Sequence, residues 1–367
     1  MTSIAFTVND LALGGIQRVT TIIANGLSSH GHDVTLVNLA NARDLFEVQT
    51  THYRIPRAWQ YNMWRVQNKL SNIFLNHSVD KREIVKTLFN KQQYDVIVLN
   101  PELFIYFDTI YQLQNDAEIY LWMHNDYRAY YNTYFKNSKE ELEHAARCAD
   151  GIISLESQNE TYWSGINPNT LKIHNPLTLP PAGALSDLEQ HVIACTSRLE
   201  MSQKGLDYLI DVAKLLPENW IINIAGDGSD RDWLMGKIKE NALEDIVHVK
   251  GRLNDDALEK HYSTASIFLS TSRWEGFPLA VVEAMSRGLP LVGFDIPALE
   301  EITDGGKYGE LVPVGDIAAM AKTIDRMVSN HDERKAFSAL SVQRAKDFDI
   351  DVILGEWERK VLGCNNR

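Results

Sequence analysis

The chain has 367 residues, 44% of them hydrophobic and 23% charged, with 21 Gly and 11 Pro. That composition excludes collagen-like, low-complexity and wholly disordered chains, and at roughly 150 residues per domain the length suits two domains, each with its own core. A formal charge of −13 argues against nucleic acid as the partner, and three scattered cysteines (Cys148, Cys195 and Cys364) form neither a disulfide framework nor a zinc spacing, which fits a reducing compartment.

The first residues, Met1-Thr2-Ser3-Ile4-Ala5-Phe6, lack a basic stretch followed by a long apolar one, so no signal peptide is expected. No apolar run reaches roughly 18 residues, so no spanning helix is expected either. Ile4–Val8 reads as a strand. Val19–Ser28 reads as a helix with Val19, Ile22, Ile23 and Leu27 on one face. Strands follow at Val34–Leu39, Tyr94–Leu99, Glu118–Met123 and Ala149–Leu155. Asn175 to Gly183 carries three prolines and a glycine and reads as a linker. The rhythm then restarts. Strands are expected at Val192–Cys195, Trp220–Ala225, Val247–Lys250, Ile267–Ser270 and Leu289–Phe294. Helices are expected at Leu206–Leu216, Arg231–Asn241, Asp255–Thr264 and Leu279–Ser286. Such alternation predicts parallel sheets covered on both faces, in two doubly wound domains.

One segment stands apart. Residues 54–91 hold eight basic and two acidic side chains, a net +6 in an acidic chain. Trp59, Met63, Val66, Leu70 and Ile73 fall on one helical face, with Tyr61, Trp64 and Phe74 close by in sequence. The stripe fits a buried face, a contact with anionic lipid or a lipid-linked acceptor, or a protein partner.

Several strand ends carry residues suited to an anionic, hydroxyl-rich ligand. Gly14-Gly15 sits between the first strand and the first helix, where backbone N–H groups can approach an anion or simply make the turn. Arg198 ends the first strand of the second half and Lys204 follows, a pair that could grip phosphate or be solvated. Ala225-Gly226-Asp227-Gly228 is another strand-end glycine turn. Asp230-Arg231-Asp232 after it reads as a helix start, with Asp capping and complementing the dipole rather than holding a metal. The most informative run is Trp274 to Met285. A strand leads into a Glu-Gly-Phe-Pro turn and a helix, with Glu275 before the helix and Glu283 within it. Ionised carboxylates only accept hydrogen bonds, which suits the vicinal hydroxyls of sugars. Glu283 stands among Val281, Val282, Ala284 and Met285, so it needs a partner.

These pieces together resemble a family 4 retaining glycosyltransferase, of glycosyl transferases group 1. They are Gly14 to Arg18, Ser197 to Leu199 with Lys204-Gly205, Ala225 to Gly228, Glu275 and Glu283 with seven residues between, Gly288 to Val292, and Glu300/Glu301 to Gly309 with Val312-Pro313. The resemblance is strongest over residues 190–316 and thinner over 1–175. It implies an α/β chain of the GT-B fold, two Rossmann-like doubly wound domains facing across a cleft. The domains would be an acceptor-side 1–178, a nucleotide-sugar-binding 179–348, and a helix over 349–367 crossing back to the first domain.

Roles are implied in the same way. Arg198 and Lys204 resemble the pair that neutralises the donor diphosphate, and Glu283 the carboxylate that binds the donor ribose. Glu275 resembles the carboxylate facing the transferred sugar, with amides of Gly276, Phe277, Pro278 and Leu279 around sugar and phosphate. Gly15 would bring an amide to the diphosphate, and Gly226 belongs to the same donor cradle. Arg252 and Leu253 resemble the edge that contacts the nucleobase. His124, in Met123-His124-Asn125-Asp126, resembles the active-site histidine; Gln17 stands where many relatives carry Glu. The resemblance implies a metal-independent, retaining, cytoplasmic transferase of a hexose or N-acetylhexosamine from a UDP-sugar. Its acceptor would be a glycan, a lipid-linked precursor or a protein, in surface polysaccharide or glycoconjugate synthesis. Contact with the inner membrane face would run through residues 54–91. The alternative is a non-catalytic GT-B subunit that stabilises a partner transferase. A GT-B epimerase or phosphorylase is a third reading, for which no cofactor lysine or phosphate site is found.

Overall fold

The structure is a computed structural model, and it describes residues 1–11, 14–39, 46–54, 82–180 and 183–364. The aromatic stripe at 59–73, and with it most of the basic segment, lies outside the described residues. The chain divides into two compact units, Met1–His174 with Ile353–Arg367, and Asn175–Val352.

The first unit is built on a seven-stranded, all-parallel sheet. Its strands are β1 (Ser3–Val8), β2 (Asp33–Asn38), β3 (Thr51–Arg54), β4 (Val96–Leu99), β5 (Glu118–Trp122), β6 (Gly151–Ser154) and β7 (Thr170–Lys172), in the order β3-β2-β1-β4-β5-β6-β7. β1 reads as a near-continuous apolar run because consecutive residues Ile4, Ala5 and Phe6 are all buried, one face after the other. Helix α1 (Gly15–Ser29) lays Val19, Ile23, Ala24 and Leu27 into the core at helical spacing. α2 (Arg82–Phe89), α3 (Phe107–Leu113), α4 (Lys139–Cys148) and α5 (Ser157–Ser164) add to the helical cover, with shorter helical turns at Pro101–Tyr106, Tyr127–Ala129 and Tyr130–Tyr134.

The second unit repeats the plan with six parallel strands. They are β8 (Val192–Thr196), β9 (Ile221–Ala225), β10 (Val247–Gly251), β11 (Ile267–Ser270), β12 (Leu291–Phe294) and β13 (Glu310–Val312), in the order β10-β9-β8-β11-β12-β13. Its helices are α6 (Met201–Lys204), α7 (Leu206–Ala213), α8 (Arg231–Glu240), α9 (Asp255–Ser263), α10 (Leu279–Ser286), α11 (Pro297–Thr303), α12 (Ile317–Ser329) and α13 (His331–Ala345). In both sheets the order reverses once, between β1 and β4 and between β8 and β11. Ligands of open α/β sheets bind beyond the carboxyl ends of the strands at such a reversal.

The units part a little earlier than the expected boundary after residue 178. Leu177 donates its N–H to Phe348 O at 2.7 Å, and the Thr178 hydroxyl reaches Glu283, so this stretch packs with the second unit. At the other end, the last helix α14 (Ile350–Lys360) counts with the first unit from Ile353 on, where the expected crossover began at 349. Trp357 is fully buried there, 5.5 Å from the Phe6 ring and 4.8 Å from Trp122. Leu354 occupies the space a side chain at Gly26 would need, and Lys360 Nζ donates to Lys172 O at 2.6 Å.

Candidate active site

In the second unit the expected residues gather around the reversal between β8 and β11. The loop after β8 runs backbone to backbone against the loop after β9. A Cβ on Gly226 would lie 1.8 Å from Ser197 O, and one on Gly228 would lie 2.3 Å from Leu199 O. With a φ of 150°, Gly226 is also in a region that side chains rarely adopt. Its N–H donates to Gly251 O at 2.8 Å, so Gly226 shapes the loop but has no donor left for a ligand.

The short helix α6 is fastened to the residues after β11. Arg273 donates its N–H to Gln203 O at 2.8 Å and its guanidinium to Met201 O at 2.9 Å and Asp207 Oδ2 at 2.6 Å. The Thr271 hydroxyl donates to Lys204 O at 2.9 Å. Gly205, left-handed at φ 61°, brings its Cα so close to Thr271 O that a Cβ would sit 2.1 Å from it. At the top of α6, Met201 N–H donates to Asp230 Oδ2 at 2.7 Å. This corrects the expectation for Asp230: it stands at the start of α8, but its side chain caps α6 and makes no cap bond to its own helix.

These fastenings deliver Lys204 to Glu275. Lys204 Nζ and Glu275 Oε1 are 2.5 Å apart, with side chains only 16% and 9% exposed. Glu275 also accepts from Ser272 Oγ at 2.7 Å and Gln203 Nε2 at 3.3 Å. Two residues that stand far apart in the sequence are thus one largely buried ion pair. Arg198 differs: it is exposed, and its guanidinium takes no partner among the described residues.

Beyond Glu275 the chain enters α10. Gly276 is buried and Leu279 opens the helix; neither N–H has an acceptor among the described residues, as first-turn geometry requires of Leu279. Pro278 must be struck from the expected donors. A proline has no N–H, and it serves instead as the N-cap with its φ fixed at −74°. Phe277 is buried, its ring 5.4 Å from Phe348 at 72°, and anchors the turn in the core. Glu283 is buried as its apolar neighbours implied, and it finds the partners it needed: Tyr262 Oη donates to Oε2 at 2.9 Å, and the Thr178 hydroxyl donates to Oε1. Arg252 is exposed and lies 3.4 Å from Asp227 Oδ2; Leu253 beside it is half-buried.

In the first unit the reversal lies between β1 and β4. Gly14 is the extended N-cap of α1, and Gly15 is its first residue, so the Gly15 N–H belongs to the unpaired first turn. The Gln17 side chain folds back over Gly14, where a Cβ would meet its Oε1 at 2.1 Å. His124 follows β5 by two residues. Its ring centroid lies 4.4 Å from that of Trp122, its N–H donates to Tyr130 Oη at 2.7 Å, and its Nε2 is 2.7 Å from Asn100 Oδ1. Loss of hydration lowers its pKa to about 3, so the ring is neutral at pH 7.

Residues 182–341 match the family model described as glycosyl transferases group 1. The chain carries a group 1 glycosyltransferase domain. Along its whole length the chain is 28% identical to an uncharacterized glycosyltransferase of Haemophilus influenzae, over 96% of this chain and 98% of that one. Over 57% of the chain it is 30% identical to the GtfA subunit of a UDP-N-acetylglucosamine--peptide N-acetylglucosaminyltransferase of Streptococcus pneumoniae, of whose length that match spans 44%. Among solved structures, S. aureus TarM, crystallised with fondaparinux, alpha-GlcNAc-glycerol and UDP, superposes with a TM-score of 0.80 at 16% identity, over 98% of this chain and 99% of that one. The fold of the chain is GT-B.

Several neighbours of the expected residues were not read from the sequence. Gln203 and Ser272 complete the shell of Glu275, and Arg273 fastens it; Tyr262 and Thr178 hold Glu283; Asn100 holds His124. All but Ser272 and Arg273 lie more than twenty residues from the side chain they serve, where periodicity gives no signal. Asn100 alone left a trace, a polar residue directly after the wholly apolar β4.

Proposed function

We propose that this glycosyltransferase moves a hexose or N-acetylhexosamine from a UDP-sugar to a glycan, lipid-linked or protein acceptor in surface polysaccharide or glycoconjugate synthesis. The reaction keeps the anomeric configuration and needs no metal ion. The observation that carries the reading is the buried Lys204–Glu275 pair, built at the sheet reversal beside an exposed, unpartnered Arg198 and the open N–H groups of Gly276 and Leu279. The GtfA and TarM structures, both solved with UDP, support the choice of nucleotide.

Arg198 and Lys204 stabilise the diphosphate as the bond to the sugar breaks, and the open N–H groups, with that of Gly15, add dipoles that need no reorganisation. Glu275 holds Lys204 in place before donor arrives and accepts from hydroxyls of the transferred sugar afterwards. Glu283 takes the ribose hydroxyls in exchange for its hydroxyl partners, and Arg252 with Leu253 borders the base. His124 accepts from a sugar hydroxyl. The C1–phosphate bond breaks, the acceptor oxygen bonds to C1 on the same face, and the departing phosphate oxygen takes the acceptor's proton. No side-chain nucleophile is used.

Calorimetry with UDP and a panel of UDP-sugars, with and without EDTA, followed by NMR of the product anomer, tests this reading. Binding that survives chelation and a product of unchanged anomeric configuration are expected. Binding abolished by EDTA removes the metal-free mechanism. Binding with neither donor hydrolysis nor transfer points to the non-catalytic subunit instead.

A further inference from the structure

Asn100 directly follows β4 at the sheet reversal of the first unit and is wholly buried. Its backbone N–H donates to Thr7 Oγ1 at 2.9 Å. Its side-chain Nδ2 donates to Thr7 O and to Thr20 Oγ1, the latter at 3.0 Å. Thr7 O is a carbonyl and can only accept, so the amide nitrogen must face it. The amide oxygen is thereby committed to the opposite side, where His124 Nε2 stands 2.7 Å away. An acceptor at that distance requires a proton on Nε2. A neutral imidazole carries one N–H, so Nδ1 is left with a lone pair. Nδ1 has no partner among the described residues.

We propose that Asn100 is a positioning residue that holds His124 in the Nε2–H tautomer and presents Nδ1 as an acceptor for a hydroxyl of the transferred sugar. The proton on Nε2 follows from this network and the bare Nδ1 from the neutrality of the ring; the hydroxyl rests on the function proposed above. The ring has little freedom to turn away, since Trp122 packs against it and Tyr130 Oη takes the adjoining backbone N–H. The groups facing His124 carry no charge. Asn100 and Trp122 do not titrate, and burial raises the Tyr130 pKa well above neutrality. Glu102, whose own carboxyl is raised by burial, acts on Tyr130. His124 itself is shifted by desolvation alone. A neutral, single-tautomer imidazole can accept from a hydroxyl at Nδ1 without competing for the cations that serve phosphate.

The test is ¹⁵N NMR of the full chain labelled at histidine. Wild type should show a pyridine-like Nδ1 and a pyrrole-like Nε2 whose proton exchanges slowly, and should stay neutral down to pH 5. Asn100→Asp, which keeps the shape, places a carboxylate on the Nε2 proton and should bring imidazolium into view above pH 5. Asn100→Leu should give mixed tautomers and lower kcat about 10- to 100-fold while the UDP affinity stays within about twofold. A proton on Nδ1 in wild type, or an imidazolium at pH 7, overturns the proposal, and that measurement needs no variant to fold. Identical His124 titrations in wild type and Asn100→Asp overturn it as well. If the tautomer behaves as described but His124→Gln transfers sugar at the wild-type rate, tautomer control by Asn100 stands and the catalytic reading of His124 fails.

Discussion

Arg198 and Lys204 carry the same charge and were read from the same loop, yet their surroundings set different consequences for losing them. Arg198 is exposed and unpartnered among the described residues, so its removal leaves nothing stranded. Arg198→Ala should cut turnover by about 10²- to 10³-fold, the usual loss for one charge-stabilising donor, with an unchanged melting temperature. Lys204 is half of a largely buried pair. Lys204→Met should lose a similar factor in turnover and also destabilise the second unit by about 3 kcal/mol or more, because Glu275 is left as an uncompensated charge. Lys204→Met with Glu275→Gln should recover most of that stability without recovering turnover. Urea unfolding and donor hydrolysis on the four proteins separate the two effects. Equal stability of Lys204→Met and wild type would show that the pair contributes nothing to folding.

Among the elements, the strands were the most legible part of the sequence, for a physical reason. Parallel strands covered on both faces are apolar at most positions, so runs such as Val96–Leu99 and Ile267 to Leu269 declare themselves. Ends were less legible: the strands expected from Tyr94 and Leu289 begin instead at Val96 and Leu291, after Asp95 and Pro290. β3, β7 and β13, at or near sheet edges, are short and mixed in polarity, and no pattern marks Thr51–Arg54, Thr170–Lys172 or Glu310–Val312. The site was legible as a set of residue types at strand ends, because topology places every such end on one side of the sheet. Its pairings were not, since Lys204 and Glu275 meet only through the register of β8 beside β11 and through the contact of Gly205 with Thr271. The glycine turns are where elements govern the site. Gly226→Ala puts a methyl group into Ser197 O and strains a backbone at φ 150°. The conformation alone costs about 1–3 kcal/mol, and the loop carrying Arg198 must shift as well. UDP affinity should therefore fall in Gly226→Ala although Gly226 offers no free donor. A variant that binds UDP like wild type would show that the two loops need not touch.

At the scale of the whole chain, each unit holds, among the described residues, a histidine whose pKa is lowered well below its ordinary value by loss of hydration. His124 in the first unit is lowered to about 3 by desolvation, and His261 in the second to about 4, again chiefly by desolvation. His261 is 7% exposed, and its Nε2 is buried without a partner among the described residues. In both, the folded pKa lies below the unfolded value of about 6.5, so between the two values the unfolded chain binds more protons. Stability from these groups is complete above pH 6.5. It falls as the pH drops from about 6.5 to about 4 for His261, and on to about 3 for His124. Melting temperature should therefore decline between pH 7 and pH 5, before most carboxylates titrate. His261→Asn removes the group that must charge on unfolding, so it should flatten the decline over that interval. Calorimetric scans of wild type and His261→Asn at pH 7, 6 and 5 check it. Parallel declines in the two proteins would mean that His261 is as easily protonated folded as unfolded, and that its burial carries no cost in acid.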